Sequence, residues 1–343
     1  FRFNTVKSRT EFRGSNKDEP FYPLGKFDIN SMRRLLDSSQ GISTSAENIR
    51  AILESDFCPR INPVQEYFQK LSKWNEGEDS EIIHLASCVT VRNPEKWQTY
   101  LTKWLIAVVA NAMDDLFCRN HTCLVLTGEQ GKFKTTFLDL LCPVELKAYL
   151  FTGTIDPQNK DTQTLIAEYL FINIDDQLKA LNKRDENELK NLIPTPRVKY
   201  RRPYDTYIEE YPHLASFMAS VNGNDFLTDP TGSRRFLPFE VEAIDIEAAK
   251  QVDINKVYSE AWWYWKSGYR YWFDDAEIAE LHREESEGFH VQTVEYEMLL
   301  KGFEKPSPTE ESYMTTSEVL NYLRGYTTLN LSEKRMGEAL RKA

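Results

Sequence analysis

A glycine-rich turn between two apolar segments constrains the fold of this chain more than any other stretch. Residues 123–126 form a short apolar run typical of a buried strand, and residues 137–141 have the pattern of a helix. The turn between them contains Gly128, Glu129, Gln130, Gly131, Lys132, Phe133, Lys134, Thr135 and Thr136. A strand that leads through such a turn into a helix directs backbone N–H groups and the positive end of the helix dipole at a phosphate group. The sequence therefore predicts a phosphate-binding loop.

This loop has the side chains that nucleotide binding requires, but it departs from the usual pattern G-x-x-x-x-G-K-[ST] at one position. Lys134 can reach the β- and γ-phosphates, and the Thr135 hydroxyl can ligate Mg²⁺, so ATP and Mg²⁺ are the predicted cofactors. Phe133 stands where the pattern has its second glycine. Because phenylalanine restricts the backbone, we expect the loop to bend differently or to use Gly131 as its flexible point. The alternative is a chance strand-to-helix turn without a ligand.

The composition is that of a soluble globular protein. The chain has 343 residues, 41% of them hydrophobic, and a mean hydropathy of −0.54. Its longest apolar run, near residues 104–110, is too short to span a bilayer, so no membrane association is expected. Five cysteines without a C-x-x-C pair favour reduced thiols and a cytoplasmic location. The chain begins without Met, which suggests a piece of a longer protein.

The hydrophobic pattern divides the chain into four regions with an α/β centre. Short apolar runs at 123–126, 148–151, 169–174, 215–221 and 236–241 alternate with helices and loops, which predicts a largely parallel sheet. We expect a mostly helical N-terminal region (1–92), an α/β core (93–245), an aromatic-rich helical subdomain (246–304) and a truncated segment like the start of a winged helix (310–343).

Polar residues follow two of the predicted strands. Asp175 and Asp176 end the apolar run 169–174, and two carboxylates at the tip of a buried parallel strand lie where open α/β sheets bind ligands. Asp175 would hold Mg²⁺, directly or through water, and Asp176 would polarise the attacking water, a task more often given to Glu. Asn222 ends the run 214–221 and can hydrogen-bond the γ-phosphate or the water.

Two adjacent arginines, Arg234 and Arg235, follow in a glycine-containing turn and are called here the arginine pair. The guanidinium fork binds phosphate oxygens in bidentate fashion, and an arginine that neutralises charge is a large part of phosphoryl-transfer catalysis. Taken alone, such a pair is more often part of a solvated turn.

In this order, the loop, the acidic strand, the Asn-tipped strand and the arginine pair resemble the virulence-associated protein E family. The most specific part is the run 220–236, which contains Ser220-Val221-Asn222, Asp225-Phe226-Leu227, Asp229, Thr231-Gly232 and Arg234-Arg235-Phe236. The resemblance covers roughly residues 90–300. It departs from the family pattern at Phe133 and at Asp176.

The resemblance implies a P-loop AAA+ core of the superfamily 3 helicase type over residues 93–245. It also implies a homo-oligomeric ring, in which Arg234 or Arg235 reaches the ATP of a neighbouring subunit. The implied function is an ATP-dependent DNA helicase or replication-initiation motor of a mobile element or prophage, acting on single-stranded or forked DNA. A primase-like domain in the full-length chain would fit this family.

A basic segment (residues 197–202) stands out in a chain of net charge −11. An acidic chain can bind nucleic acid only through such a local patch. In superfamily 3 enzymes, insertions between these strands grip DNA, and charged contacts to phosphates bind without sequence preference. Alternatively the segment pairs with acidic neighbours, or binds nucleotide across a subunit boundary. Its cations are Arg197, Lys199, Arg201 and Arg202, with Tyr200 and Tyr204 nearby.

Two other classes of function fit parts of the pattern. A P-loop phosphotransferase would need an acceptor pocket and no assembly. The second is a non-catalytic interaction module that is independent of nucleotide. In that case Phe133 would indicate a loop that has lost nucleotide binding.

Overall fold

The computed structural model describes residues 1–16, 19–202, 207–224, 226–227, 234–289, 294–303, 313–327 and 329–342. The strands within these residues are β1 Arg2–Asn4, β2 Arg9–Phe12, β3 Tyr22–Pro23, β4 Arg60–Ile61, β5 Val89–Val91, β6 Cys123–Thr127, β7 Leu150–Gly153, β8 Phe171–Asp175, β9 Arg197–Tyr200, β10 Glu209–Pro212, β11 Ser216–Ser220 and β12 Phe236–Ile244. The α-helices are α1 Lys26–Gln40, α2 Ala46–Leu53, α3 Pro63–Lys70, α4 Glu81–Ser87, α5 Pro94–Ala112, α6 Lys134–Leu140, α7 Lys160–Glu168, α8 Lys183–Leu192, α9 Ile246–Gln251, α10 Ile254–Lys266, α11 Asp275–Gly288, α12 Val294–Gly302, α13 Thr316–Arg324 and α14 Glu333–Lys342.

The central sheet has six strands in the order β5-β12-β6-β11-β8-β7. Five of them run parallel, and β5 pairs antiparallel with β12 at one edge. The prediction of an α/β fold with a largely parallel sheet is therefore confirmed. Strand β11 lies between β6 and β8, although β6 and β8 come first in the chain. Residues that follow these three strands consequently meet where the strands have their carboxyl ends, and this is the edge of the sheet that is meant below.

Alternate residues of the central strands enter two separate cores, as the period of two in a strand requires. Leu124 and Met218 face the core that contains α5 and α10. Val125 and Phe217 face the opposite core, which contains residues of α7 and α8. Both faces of the sheet are thus covered, which explains why its strands are continuous apolar runs.

Helix α5 forms the centre of the first core. Asn93 accepts a hydrogen bond from the backbone N–H of Lys96, and Pro94 occupies the first turn, so both residues favour a helix that begins here. Trp97 and Trp104 are buried in this core. Helix α10 packs along α5, and Trp262 of α10 stacks on Phe68 with ring centroids 6.4 Å apart.

The region 1–92 contains more strand than the sequence predicts. Strands β1 to β4 form a separate four-stranded sheet in the order β3-β2-β1-β4. The buried Asn4 attaches this sheet to the core, since its Nδ2 donates to Glu11 at 2.8 Å and to the Tyr149 hydroxyl at 2.7 Å. These strands have two to four residues, too few for a period-two pattern to be recognised. The proposed division into four regions stays a prediction, and β5 of the first region completes the sheet of the second.

The C-terminal helices α12, α13 and α14 pack on one another around a small apolar cluster that includes Leu299, Leu320 and Met336. The winged-helix assignment for residues 310–343 stays a prediction. Among the described residues, no helix is both long enough and apolar enough to cross a membrane.

Candidate phosphate-binding site

The glycine-rich turn joins the fully buried strand β6 to helix α6, as its sequence predicts. We call residues 128–134 the phosphate loop. The Lys134 side chain is 5% exposed and folds back under the loop. Its Nζ donates to the carbonyl oxygens of Gly128 at 3.1 Å and Glu129 at 2.6 Å, and to Asn222 Oδ1 at 3.2 Å. The ammonium group is therefore held at the centre of the loop.

Three residues of the loop lie at positive φ. Gly128 has φ +123° and Gly131 has φ +83°, conformations that glycine adopts readily, while the role of Gly131 as a flexible point stays a prediction. Phe133 itself adopts the left-handed conformation, with φ 57° and ψ 20°. The backbone at this position therefore has a left-handed conformation, which glycine, the usual residue here, adopts without strain. Phenylalanine adopts it with its side chain 54% exposed.

A hydroxyl and a carboxylate lie together at the start of α6. Thr135 Oγ1 donates to Asp175 Oδ1 at 2.8 Å and lies 2.9 Å from Ser220 Oγ. Ser220 Oγ also donates to Asp175 Oδ1 at 2.8 Å. The start of α6 and the ends of β8 and β11 therefore contribute to one polar cluster, and Thr135 and Asp175 are brought together as the sequence predicts.

Asn222 connects the lysine to the second carboxylate. Its Oδ1 accepts from Lys134, while its backbone N–H and Nδ2 donate to the two oxygens of Asp176 at 3.1 and 2.9 Å. Asp176 has φ 48°, a conformation that aspartate tolerates better than most residues. Because both carboxylate oxygens of Asp176 accept hydrogen bonds from Asn222, the orientation of this carboxylate is fixed.

Burial lowers the pKa of Lys134, and the nearby carboxylates of Asp176 and Asp175 oppose this shift. A buried ammonium group without an anionic ligand is costly. A phosphate group would add a further negative charge beside it and would favour the charged form. The electrostatic environment of Lys134 thus suits an anionic ligand.

The arrangement fits Mg²⁺ and a nucleoside triphosphate. Asp175 is exposed, and the Thr135 hydroxyl lies against it. In the described part of the chain, no group of three or more His, Cys, Asp or Glu side chains could hold a metal ion. Mg²⁺ in nucleotide sites is usually bound by one or two carboxylates together with waters and substrate phosphates, and the Asp175 carboxylate and Thr135 hydroxyl are ligands of this kind.

Three side chains and one backbone contact of this site are not among the residues that the sequence predicts. Ser220 bridges Thr135 and Asp175, and its place at the end of a small, apolar strand is the signal that could have revealed it. Asn173 Nδ2 donates to Asp139, near the end of α6, at 2.8 Å and to the Thr135 carbonyl at 3.4 Å. The Gly223 N–H donates to the Gly128 carbonyl at 3.0 Å and attaches the loop to the end of β11.

The structure places the arginine pair at the opposite edge of the sheet. The Arg235 carbonyl accepts from the Cys123 N–H at 2.7 Å, where β6 begins, whereas the phosphate loop starts after β6 ends. A five-residue strand is about 16 Å long, so the pair does not reach the phosphate loop of its own chain. Residues 225 and 228–233, which belong to the same sequence motif, lie outside the described residues.

Three of the four cations of the basic segment bind within the chain. Strands β9 and β10 form an antiparallel hairpin in which Arg197 and Lys199 pair with Glu210, at 3.2 and 3.6 Å. Arg202 is largely buried, donates to the Val6 carbonyl at 3.0 Å and pairs with Glu168 at 3.4 Å. The predicted pairing with acidic neighbours is therefore present for these three, while Arg201 is exposed. Tyr204 lies outside the described residues.

Fold and site together define an α/β protein whose parallel sheet presents a glycine-rich strand-to-helix loop beside acidic and amide side chains. Residues 68–290, more than half of the chain, match the virulence-associated protein E-like domain. The chain therefore belongs to the family of virulence-associated protein E-like domains, as its motifs suggest.

A solved structure of the NrS-1 C-terminal region shares the fold. The apo structure of residues 305–718 of that protein aligns with a TM-score of 0.51 at 12% identity, over 87% of this chain and 73% of that chain. An apo structure described as the A form aligns with a TM-score of 0.48 at 12% identity, over 87% and 74%. At this identity the likeness concerns the fold alone. No curated protein sequence matches the chain.

Proposed function

We propose that this chain is the ATPase part of a replication motor, an ATP- and Mg²⁺-dependent DNA helicase or initiation protein of a mobile element or prophage. The observation that carries the proposal is the meeting of five polar side chains at one sheet edge from three separate stretches of sequence. They are Lys134, Thr135, Asp175, Asp176 and Asn222.

Within this proposal the phosphate loop binds the triphosphate. Its backbone N–H groups, the start of α6 and the Lys134 ammonium would contact phosphate oxygens. Thr135 and Asp175 would hold Mg²⁺, which supplies positive charge to the phosphates when bound. Phosphoryl transfer depends mainly on positioning and charge neutralisation, so these contacts supply most of what the reaction needs.

Asp176 and Asn222 would position the attacking water. Asp176 is exposed, and its carboxylate is fixed by the two hydrogen bonds from Asn222. A fixed, exposed carboxylate beside a phosphate site can accept a hydrogen bond from water and orient it toward phosphorus. Asn222 also contacts Lys134, so the water-orienting and phosphate-binding groups share one hydrogen-bond network.

The position of the arginine pair supports hydrolysis between subunits. Because Arg234 and Arg235 lie at the edge opposite their own phosphate loop, neither would reach the ATP bound there, and one of the two would reach the ATP of a neighbouring copy instead. Arg234 is exposed, as a residue that reaches another subunit must be. A closed homo-oligomeric ring supplies such a neighbour to every site.

Contact with DNA is assigned to the β9–β10 hairpin. Arg201, which follows β9, is exposed, and Tyr207, which precedes β10, is 76% exposed. An exposed cation and an exposed aromatic ring suit phosphate contact and base stacking on single-stranded DNA. The ion pairs of Arg197, Lys199 and Arg202 would then hold the hairpin in position. A primase-like domain elsewhere in the full-length protein would fit this role.

The first test is steady-state ATP hydrolysis by a matched pair of lysine variants. Lys134→Ala removes the buried ammonium group, and we expect turnover to fall about 10²-fold or more. Lys250→Ala is the control, because it changes an exposed lysine of α9 that pairs with Glu247 at 2.7 Å outside the phosphate loop, and turnover should stay within about twofold. Equal turnover in wild type and Lys134→Ala would refute the proposal.

A second test addresses assembly and DNA. The rate per subunit should rise with protein concentration and again with single-stranded DNA. Mixing Lys134→Ala with Arg234→Ala subunits should restore part of the activity, because mixed interfaces contain one intact site. A flat, DNA-indifferent rate from a monomer would favour the phosphotransferase alternative, and failure to bind any nucleotide would favour the interaction module.

A further inference from the structure

A second polar cavity lies at the sheet edge opposite the phosphate loop. Its volume is about 200 Å³, and it is enclosed by the segment before β6, the residues before β12, and the segment between α10 and α11. Helix α5 contributes Ala107 to its floor. The cavity is distinct from the phosphate loop, because the length of β6 separates them. We call it the edge cavity.

The edge cavity is cationic. Arg119, Arg234 and Arg235 line it together with His121, and the described lining contains no aspartate or glutamate. Burial and the neighbouring Arg234 both lower the pKa of Arg235. Arg119 pairs with Asp114 at 2.6 Å. Three guanidinium groups that line one small cavity give it a positive potential, which favours an anionic ligand.

An unused hydrogen-bond donor adds an independent observation. Asn120 lines the edge cavity, is 1% exposed, and has a buried Nδ2 without a partner. The orientation of its amide follows from its other contacts, since Oδ1 accepts from the Thr122 N–H at 3.3 Å and from its hydroxyl at 3.0 Å. A buried unsatisfied donor costs about 1–3 kcal/mol. An acceptor from a ligand would remove that cost.

One wall of the edge cavity is aromatic and held in place. Tyr271, Trp272 and Phe273 line it, and Trp272 is 58% exposed. The buried Lys103 of α5 pairs with Glu277 and donates to the Trp272 carbonyl at 3.5 Å. The segment is thereby fixed over α5. Its exposed indole can stack on a planar ring.

We propose that the edge cavity binds the phosphate monoester of a nucleotide unit, separately from the phosphate loop. Arg119, Arg235 and the Asn120 amide would bind the phosphate oxygens, and Trp272 would stack on the base. Guanidinium groups with an added neutral donor match the several oxygens of a phosphate. The inference does not rest on ATP hydrolysis.

The test uses calorimetric titration of AMP into the Lys134→Ala chain without Mg²⁺, so that the phosphate loop contributes little. We expect one site, with affinity weakened at least tenfold by Arg235→Gln and by Asn120→Asp. The aspartate keeps the acceptor for Thr122 and removes the donor. Arg184→Gln, which removes an exposed arginine of α8, is the matched control and should bind as the parent does. Thermal melting verifies that each variant folds. If Asn120→Asp does not fold, the affinity of Arg235→Gln alone decides the test.

Further titrants decide the chemistry and its source. Adenosine should bind at least tenfold more weakly than AMP, since it lacks the phosphate. Competition by a 5′-phosphorylated oligothymidylate, but not by its 5′-hydroxyl form, would identify a strand end as the source. No competition by either would identify a free nucleotide. The proposal is overturned if AMP does not bind, if adenosine binds equally, or if the variants of the edge cavity bind as tightly as the control.

Discussion

Gly128 and Gly131 both lie at positive φ in the phosphate loop, but their surroundings differ. A Cβ on Gly128 would lie 2.8 Å from the Val241 carbonyl oxygen, whereas a Cβ on Gly131 would meet nothing within 4 Å. We expect Gly131→Ala to lower the free energy of unfolding by about 1 kcal/mol from backbone strain alone. Gly128→Ala should cost about 3 kcal/mol or more, because backbone atoms must move as well. Urea unfolding measures both, and equal losses would contradict the close approach of Val241.

Phe133 tests the left-handed turn of the loop directly. A β-branched residue tolerates positive φ poorly, while glycine adopts it freely. We expect Phe133→Val to be less stable than Phe133→Gly by at least about 1 kcal/mol, because the left-handed conformation costs about 1–2 kcal/mol per residue. The ring is exposed, so lost packing contributes little to either value. Urea unfolding of the two variants supplies the comparison, and a Val variant as stable as the Gly variant would show that φ is not positive in solution.

At the scale of an element, one arginine attaches the β9–β10 hairpin to the rest of the molecule. Arg202 contacts Val6, Glu168 and the Tyr211 ring, the last at 4.2 Å from the ring centroid. Arg202→Ala should cost about 2 kcal/mol, the value of a hydrogen bond to a charged group, and should leave Glu168 without this partner. Hydrogen exchange of the hairpin amides should accelerate. Arg201→Ala is the control, because Arg201 is exposed, and faster exchange in that variant as well would assign the effect to charge rather than attachment.

At the scale of the whole molecule, several buried acidic groups make stability fall at alkaline pH. Burial raises the pKa of the Cys118 and Cys142 thiols to about 12, and it also raises that of Cys123. In the unfolded chain a thiol ionises near pH 8.5, so above that pH the native state holds protons that the unfolded state has lost. The contribution of these thiols to the free energy of unfolding is therefore complete below about pH 8.5. It decreases as pH rises toward 12.

Lys7 opposes this trend and reduces the loss of stability at alkaline pH. Burial lowers the pKa of Lys7 to about 8, so between pH 8 and about 10.4 the unfolded state binds the extra proton and stability rises with pH. Each such group contributes about 1.4 kcal/mol per pH unit, and three thiols outweigh one amine. We expect a loss of about 3 kcal/mol between pH 9 and pH 10 in urea unfolding under reducing conditions. Cys142→Ala should reduce the slope by about 1.4 kcal/mol per unit, and a flat profile would contradict the burial of the thiols.

Much of the fold and part of the candidate site could be predicted from sequence because they depend on neighbouring residues. The apolar runs of β6, β8, β11 and β12 are continuous, since both sheet faces are covered, and such runs predict buried strands. The N-terminal sheet is not predicted from the sequence, because its strands are too short to show a pattern. It is stabilised by distant contacts such as that of Asn4 with Tyr149. Ser220 was not singled out either, since its role depends on two residues more than 40 positions away.

The order of residues along the chain was sufficient to predict a strand, a glycine-rich turn and a helix with Lys134 and Thr135 at its start. These features follow from local backbone preferences and hydrophobic periodicity. Only the tertiary structure placed β11 between β6 and β8, and so set Asn222 between Lys134 and Asp176. It alone also placed Arg234 and Arg235 at the far edge of the sheet. Strand order arises from packing and backbone pairing across long separations, and those interactions leave no local pattern in the sequence.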